Sequence, residues 1–260
     1  MVEKKFLITK NYIEVPVVME SELITLEVMQ ENGDSQTKIC EFQVPAGAST
    51  GGFKPDYFAR FTVKDFIGKT LILKGCGNEA FFAGIRQVDC EFEESDLDFS
   101  NESLPRPKYH FTAARGWIND PNGLVYKDGV YHLYFQYNPF DTRWENMSWG
   151  HAVSRDLLHW EQKDDVLFPD ETGKMLSGSG IVNDRKMLGL PEDAVIFFYT
   201  ADGNNNKWSA GKQFTQRIAY STDLLKWEQT DGVRYAAYIN KMAYAAQTYS
   251  NTGNLCMTVQ

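Results

Sequence analysis

The sequence is poor in cysteine, and its cysteines lack the spacing of a metal site. Cys40, Cys76, Cys90 and Cys256 include no Cys-x-x-Cys pair, whereas structural zinc sites draw on closely spaced cysteine and histidine pairs. We expect free thiols in a reducing compartment, with a Cys76–Cys90 bridge as the alternative. A glycine-rich phosphate loop is missing too. The sequence therefore predicts neither a metal nor an organic cofactor.

An excess of positive charge is also missing. The chain has 26 Lys and Arg against 35 Asp and Glu, a net charge of −9, and no basic cluster. Nucleic-acid binding depends on clustered Lys and Arg that neutralise phosphates. Nucleic acid is therefore excluded as a partner.

Long hydrophobic runs are absent as well. Residues 1–6 lead at once into mixed polar sequence, which does not fit a signal peptide or a membrane span. We expect no membrane partner and a cytoplasmic protein, or a secreted one if a leader has been removed.

What the sequence does contain is strand patterning in two regions. In Leu23–Val28 the apolar residues alternate with Thr25 and Glu27, as in a half-buried strand. Similar short runs, separated by turn residues, predict a small antiparallel β-sandwich-like domain over residues 1–98. An acidic stretch followed by Pro105 and Pro107 predicts an extended linker at 99–108. A second domain then occupies residues 109–260.

The second domain contains a hairpin signal and an internal repeat. Asp128-Gly129 separates two strand-like runs, which is a strong hairpin signal. Residues 154–162 match residues 221–229 at a spacing of 67, with seven identities in nine positions. Repetition at this spacing in a β-rich chain indicates propeller blades. We interpret the repeated Trp160 and Trp227 as structural.

A candidate catalytic carboxylate lies at Asp120, within the motif Trp-Ile-Asn-Asp-Pro-Asn-Gly at residues 117–123. Taken alone, this segment also suits an ordinary turn. Amide and tryptophan side chains crowd the next 35 or so residues, and a sugar site needs such hydrogen-bonding and apolar groups. His151 is a candidate general base, with a buried core histidine as the alternative.

These motifs resemble glycoside hydrolase family 32, the invertases, inulinases and levanases. The matching stretches are His110–Thr112, Gly116–Leu124, Tyr131–Pro139, Trp149–Ser154, Asp156–Trp160 and Ser177–Ser179. The resemblance implies an all-β chain whose second domain is a five-bladed β-propeller, complete or partial. It also implies a fructan or sucrose-like substrate and hydrolysis of terminal β-D-fructosyl linkages.

The resemblance further implies roles for individual residues. Asp120 is the nucleophile of a retaining mechanism with a covalent fructosyl-enzyme intermediate. Residues implied to line the fructose pocket are Asn119, Gln136, Trp144, Leu176 and Ser177. Leu176 stands where the family commonly has Phe, so the pocket wall differs there.

The second carboxyl group of the mechanism is not found. A retaining enzyme needs an acid/base about 5 Å from its nucleophile, and the family takes it from a Glu-Cys motif, with a third acid in Arg-Asp-Pro. Neither motif occurs in this sequence. Five blades of about 50 residues also exceed what residues 109–260 provide, and residues 244–250 resemble the far end of the propeller. We therefore expect a propeller that lacks its central part.

Three functions remain open at this point. The first is fructan or sucrose hydrolysis, for which Asp202 is a candidate second acid by position, with an ordinary turn residue as the alternative. The second is a degenerate propeller that binds carbohydrate without catalysis, because the acid/base motif is absent. The third is fructosyl transfer, which shares the nucleophile and differs only in the acceptor.

A partial propeller exposes blade faces and strand edges, which invite pairing with another chain. We expect the purified chain to be unstable, to self-associate through its exposed blade edges, or to close in an unusual way. Size-exclusion chromatography combined with thermal melting tests this expectation. A sharp monomer peak with one cooperative melting transition would contradict it.

Overall fold

The computed structural model describes residues 1–47, 53–92, 107, 110–224 and 227–229, and the backbone of 246–249 and 256–259. The described chain is all-β, as the alternating patterns predict. Two compact units emerge. Unit 1 comprises Met1–Lys108, Thr112–Trp117 and Asn138–Asn146, and unit 2 comprises Tyr109–Phe111, Ile118–Tyr137 and Met147–Gln260.

Unit 1 contains two antiparallel sheets and one short helix. Its strands are β1 (Val2–Leu7), β2 (Tyr12–Val17), β3 (Leu23–Asn32), β4 (Ser35–Pro45), β5 (Tyr57–Thr62), β6 (Thr70–Gly75) and β7 (Arg86–Val88). The sheet orders are β1-β6-β3-β4 and β5-β2-β7. A 3-10 turn occupies Lys64–Phe66, and helix α1 occupies Glu79–Gly84. The Asn78 side chain caps α1 by accepting a hydrogen bond from the Phe81 N–H at 2.7 Å.

The core of unit 1 follows the predicted alternation. In β3, Leu26 and Val28 are buried while Thr25 is exposed. The Phe42 ring on β4 and the Phe61 ring on β5 come within 5.3 Å of each other, so side chains of both sheets share one core. Cys40 is buried, and Cys76 and Cys90 are exposed and unbridged, as the free-thiol interpretation predicts.

Unit 2 contains two four-stranded antiparallel sheets. The first consists of β8 (Trp117–Lys127), β9 (Val130–Asn138), β10 (Ser148–Ser154) and β11 (Trp160–Leu167). The second consists of β12 (Met175–Val182), β13 (Val195–Asp202), β14 (Phe214–Ser221) and β15 (Glu228–Gln229). In each sheet neighbours in space are neighbours in the chain. A 3-10 turn lies at Met187–Gly189, and β16 (Ala246–Tyr249) pairs with β17 (Cys256–Val259).

Some sequence-based expectations fall on residues that are not described. These are the linker at 99–108 apart from residue 107, the side chain of Cys256, and the tail segment 244–250 apart from the backbone of 246–249. Within the described ranges, no helix is long and apolar enough to span a membrane.

The predicted hairpin joins β8 to β9. Asp128 and Gly129 have φ angles of 51° and 80°, the two left-handed positions of a type I′ turn, which matches the twist of paired strands. The sequence prediction is confirmed at this position.

The two copies of the repeat form the same turn. The Ser154 hydroxyl accepts a hydrogen bond from the Leu157 N–H at 2.8 Å, and the Ser221 hydroxyl accepts one from the Leu224 N–H at 2.8 Å. Leu157 and Leu224 are both left-handed, with φ of 66° and 62°. The repeat is therefore one structural element used at the same place in two successive sheets.

The core of unit 2 forms between its two sheets. Phe197 on β13 lies 4.6 Å from Tyr134 on β9 and 4.7 Å from Trp149 on β10, measured between ring centroids. Trp227 stacks on Phe197 at 3.7 Å with an interplanar angle of 9°. The structural interpretation of this repeated tryptophan is therefore confirmed.

Removing a buried charge should destabilise unit 1 strongly. Glu14 is fully buried and pairs with Arg60, 5% exposed, and with Arg86, at 2.5 Å in each case. Glu14→Gln would leave the Arg60 charge buried without its counter-ion, so we expect a loss of about 3–5 kcal/mol. Urea unfolding measures this loss as a change in the free energy of unfolding. In the matched control Glu31→Gln, the surface pair with Lys5 is lost at a cost below about 1 kcal/mol; equal effects would contradict the prediction.

Candidate active site

The motif that carries Asp120 is part of a strand. Residues 117–127 form β8, in which the Asp120 side chain is exposed and the Asn122 side chain is buried. Gly123 alone among them has a positive φ, at 50°. The alternative that this segment is an ordinary turn is therefore wrong, and Pro121 follows Asp120 in an extended backbone, as proline favours.

Ser177 reaches Asp120 because β12 contains a bulge. The pairing with β13 passes from Leu176↔Thr200 to Gly178↔Tyr199 and leaves Ser177 as the extra residue. A bulge re-aims the side chain of the inserted residue. The Ser177 hydroxyl donates a hydrogen bond to Asp120 Oδ2 at 2.7 Å. The structure thus brings together two residues predicted from sequence.

Asn122 is a residue for which the sequence analysis assigned no role. Its Oδ1 accepts a hydrogen bond at 3.3 Å from the backbone N–H of Gly178, the residue after Ser177. Asn122 therefore ties β8 to the bulge two positions along from Asp120. The signal that could have found it is the two-residue period of a strand, which puts alternate residues on the same face.

Two glycines allow β8 and β12 to approach this closely. A Cβ atom on Gly180 would lie 3.1 Å from the Gly123 carbonyl oxygen, and one on Gly123 would lie 2.9 Å from the Phe197 ring. A larger residue at Gly180 would push β12 away from β8, and one at Gly123 would clash with the Phe197 ring on β13. The Asp120–Ser177 hydrogen bond depends on this close contact.

Gln136 supports the start of β12. It is buried, and its Nε2 donates to the Met175 carbonyl at 2.9 Å. The Trp149 indole N–H donates to the next carbonyl, that of Leu176, at 3.2 Å. Gln136 and Leu176 thus both belong to the network of unit 2 that surrounds the bulge.

The other two predicted pocket residues belong to different units. Asn119 is half-buried and lies beside Asp120 on β8. Trp144 belongs to unit 1, on the segment Asn138–Asn146, and it is 46% exposed.

Asp202 fits the structural alternative rather than the role of second acid. It is fully buried. Its Oδ1 accepts a hydrogen bond from the Lys174 N–H at 2.6 Å, and its Oδ2 accepts one from the Asn205 side chain at 2.6 Å. Both oxygens hold neighbouring chain segments in place, so Asp202 does not present a carboxyl group to solvent.

Comparison with known proteins identifies the family. Residues 110–249 match the model described as the glycosyl hydrolases family 32 N-terminal domain. The chain belongs to glycoside hydrolase family 32.

This chain is similar to only part of the length of its relatives in the family. A levanase of Bacillus subtilis is 44% identical over 134 residues, which cover 50% of this chain and 19% of that protein. A fructan beta-fructosidase of Streptococcus mutans is 31% identical over 228 residues, covering 86% of this chain and 14% of that protein. The crystal structure of an exo-inulinase from Aspergillus awamori superposes with a TM-score of 0.44 at 37% identity, covering 48% and 27% of the two chains. The chain spans about a fifth or less of the two curated relatives.

In this family 32 chain, His151 is a core histidine and not a base at the site. It is buried, its Nε2 lies 3.0 Å from Nδ1 of buried His132, and its ring stacks on Tyr134 at 4.3 Å. Burial, with the neighbouring His132 and Lys163 charges, lowers the pKa of His151 to about 3. Burial also lowers the pKa of His132. The candidate role of general base is therefore not supported.

The histidine pair predicts a loss of stability in acid. Because the pKa of His151 is lowered in the folded protein, this histidine stays neutral there. Between pH 6.5, its ordinary pKa, and about pH 3 the unfolded chain therefore binds more protons than the folded one. The free energy of unfolding therefore decreases as the pH is lowered through that window. We expect His151→Gln to reduce the loss between pH 7 and 5 by about 2 kcal/mol, measured by urea unfolding at both pH values. An unchanged difference would contradict this assignment.

Proposed function

We propose that this chain carries the nucleophile of a β-fructosidase that acts on terminal fructosyl units of fructans or sucrose. The observation that supports it best is the hydrogen bond from the Ser177 hydroxyl to Asp120 Oδ2 at 2.7 Å. It holds one carboxylate oxygen while the exposed side chain stays accessible to a substrate. The family match and the levanase and fructosidase relatives support the substrate class.

The chemistry that we propose is nucleophilic substitution at the anomeric carbon. The second Asp120 oxygen attacks that carbon, the bond to the leaving oxygen breaks, and a fructosyl ester forms; water then resolves it with net retention. Asn119, Gln136, Leu176 and Trp144 would surround the sugar, as the family resemblance implies.

The departing oxygen needs a proton, and the given sequence lacks the motifs from which the family supplies it. The Glu-Cys and Arg-Asp-Pro motifs are absent from the sequence, and both oxygens of Asp202 are engaged in structural hydrogen bonds. We therefore expect weak turnover of natural fructans by this chain alone, because general acid catalysis typically contributes 10²–10⁴-fold.

For the architecture we propose that the two sheets of unit 2 are the first blades of a five-bladed propeller design. Their chain-order strands and their shared Ser-x-Asp-Leu-Leu turn support this. Residues 1–98 would form a separate β-sandwich, and its two sheets with rings in contact across them support that.

A second candidate function is carbohydrate binding without catalysis. The missing acid/base motif favours it, and it requires the same pocket without a competent nucleophile. Fructosyl transfer is a third candidate, and it would follow the same first step with a sugar hydroxyl as acceptor.

β-D-Fructofuranosyl fluoride separates these candidates, because fluoride leaves with the bonding electron pair and needs little acid assistance. We expect the protein to gain the mass of one fructosyl residue, located on Asp120 by peptide mass spectrometry. Asp120→Asn should remain unlabelled, whereas the control Asp128→Asn, at an exposed turn carboxylate, should be labelled normally.

Absence of the adduct in the unaltered protein would overturn the nucleophile assignment. Retention in affinity gels that contain levan or inulin would then support the binding function. Exchange of the adduct with added sucrose faster than with water would support transfer.

A further inference from the structure

The segment Asn138–Asn146, here called the Trp144 segment, joins β9 to β10 in the chain but packs with unit 1. It lies within the matched family region, whereas residues 1–92 of unit 1 lie outside that match. The contacts of this segment therefore bear on what the N-terminal region does.

Asn146 attaches the segment to an edge strand. Among the described residues β4 is the last strand of its sheet, and no described strand pairs with its outer side. The Asn146 Oδ1 accepts a hydrogen bond from the Gln43 N–H at 2.7 Å, and its Nδ2 donates to the Gln43 carbonyl at 2.8 Å. The amide thus pairs with the strand edge as a neighbouring strand would. Asn146 is buried and left-handed, with φ of 49°.

Two further contacts attach the other end of the segment. The Phe140 ring is fully buried, 4.3 Å from the Phe42 ring and 6.1 Å from the Phe61 ring. The Tyr57 hydroxyl donates to the Pro139 carbonyl at 3.1 Å. Burial raises the pKa of Tyr57, so this donor stays protonated.

Hydrogen bonds inside the segment carry this anchoring to the residue before Trp144. Asn138 Nδ2 donates to the Arg143 carbonyl at 3.0 Å, and Asn138 Oδ1 accepts from Asn146 Nδ2 at 3.0 Å. The buried Asp141 carboxylate accepts hydrogen bonds from the Thr142 N–H and from Arg143 Nε, both at 2.7 Å. The backbone on both sides of Trp144 is therefore held by side chains that are themselves fixed.

We propose that Asn146 is a positioning residue through which the N-terminal sheets fix Trp144 for sugar binding. The proposal rests on the proposed function, since it takes Trp144 as a group that contacts the fructosyl unit. It assigns the N-terminal region a role in substrate affinity. An ordered aromatic side chain binds more tightly than a mobile one, because less conformational entropy is lost on binding.

The first test measures the order of the segment without any sugar. Asn146→Gly removes the side-chain hydrogen bonds, and glycine tolerates the left-handed backbone. We expect trypsin cleavage after Arg143 to accelerate on the order of tenfold or more, relative to cleavage after exposed Lys186. Two variants should leave this ratio unchanged. Asn204→Gly replaces another left-handed asparagine, φ 67°, and Gln43→Ala keeps the backbone groups that Asn146 uses.

The second test measures sugar affinity by calorimetry with short levan and inulin oligosaccharides. If Asn146 acts through Trp144, Asn146→Gly weakens binding several-fold, and the double variant with Trp144→Ala binds no more weakly than Trp144→Ala alone. Multiplicative losses in the double variant would overturn the proposal, as would an unchanged cleavage ratio in the first test.

The two tests also separate this proposal from the proposed function. Absence of both sugar binding and fructosyl adduct in the unaltered protein overturns the fructosidase function and with it the affinity role of Asn146. The cleavage ratio still decides whether the N-terminal sheets hold the Trp144 segment. Normal sugar binding with an unchanged ratio overturns the positioning role alone.

Discussion

The close approach of β8 to β12 is the constraint on which the candidate site depends. Gly123 and Gly180 have no side chains to separate the strands, and a Cβ on Gly180 would lie 3.1 Å from the Gly123 carbonyl. This proximity lets the Asn122 side chain bond the Gly178 N–H and the Ser177 hydroxyl bond Asp120. The aromatic core formed by Tyr134, Trp149 and Phe197 lies against Gly123. Packing of the core and placement of the Asp120 side chain thus depend on the same contacts.

In the proposed function Asp120 is the attacking half of a retaining site, and the given sequence contains no Glu-Cys motif to supply the proton-donating half. Both halves are normally required, because an alkoxide is a poor leaving group at neutral pH and gains most from a positioned acid. The contacts of the Trp144 segment within unit 1 bear on sugar binding and not on proton donation. Side chains such as Asn146 and Phe140 hold the backbone around Trp144, and in the proposed function this order serves sugar binding whether or not turnover is fast.

Much of the local structure could be predicted because it is encoded by near neighbours. Asp128-Gly129 forms its turn from two residues that accept positive φ, and the Ser154 and Ser221 turns repeat because the same residues recur. The alternation in β3 is equally local. By contrast, Asn-Asp-Pro-Asn-Gly suits a turn by composition, yet it is part of β8. Pairing with β9 and packing against buried rings outweigh the turn preference there.

The sequence by itself determined the all-β class, the repeated turn, the family motif and the choice of Asp120, since these depend on residue types at short spacing. Only the tertiary structure decided that Ser177 reaches Asp120 through a bulge, that Asp202 and His151 are internal, and that Asn146 bonds the edge of β4. The physical reason is sequence separation. The Ser177–Asp120 contact joins residues 57 apart and the Asn146–Gln43 contact residues 103 apart. Such contacts depend on the register of the strands and on which buried polar groups need a hydrogen-bond partner.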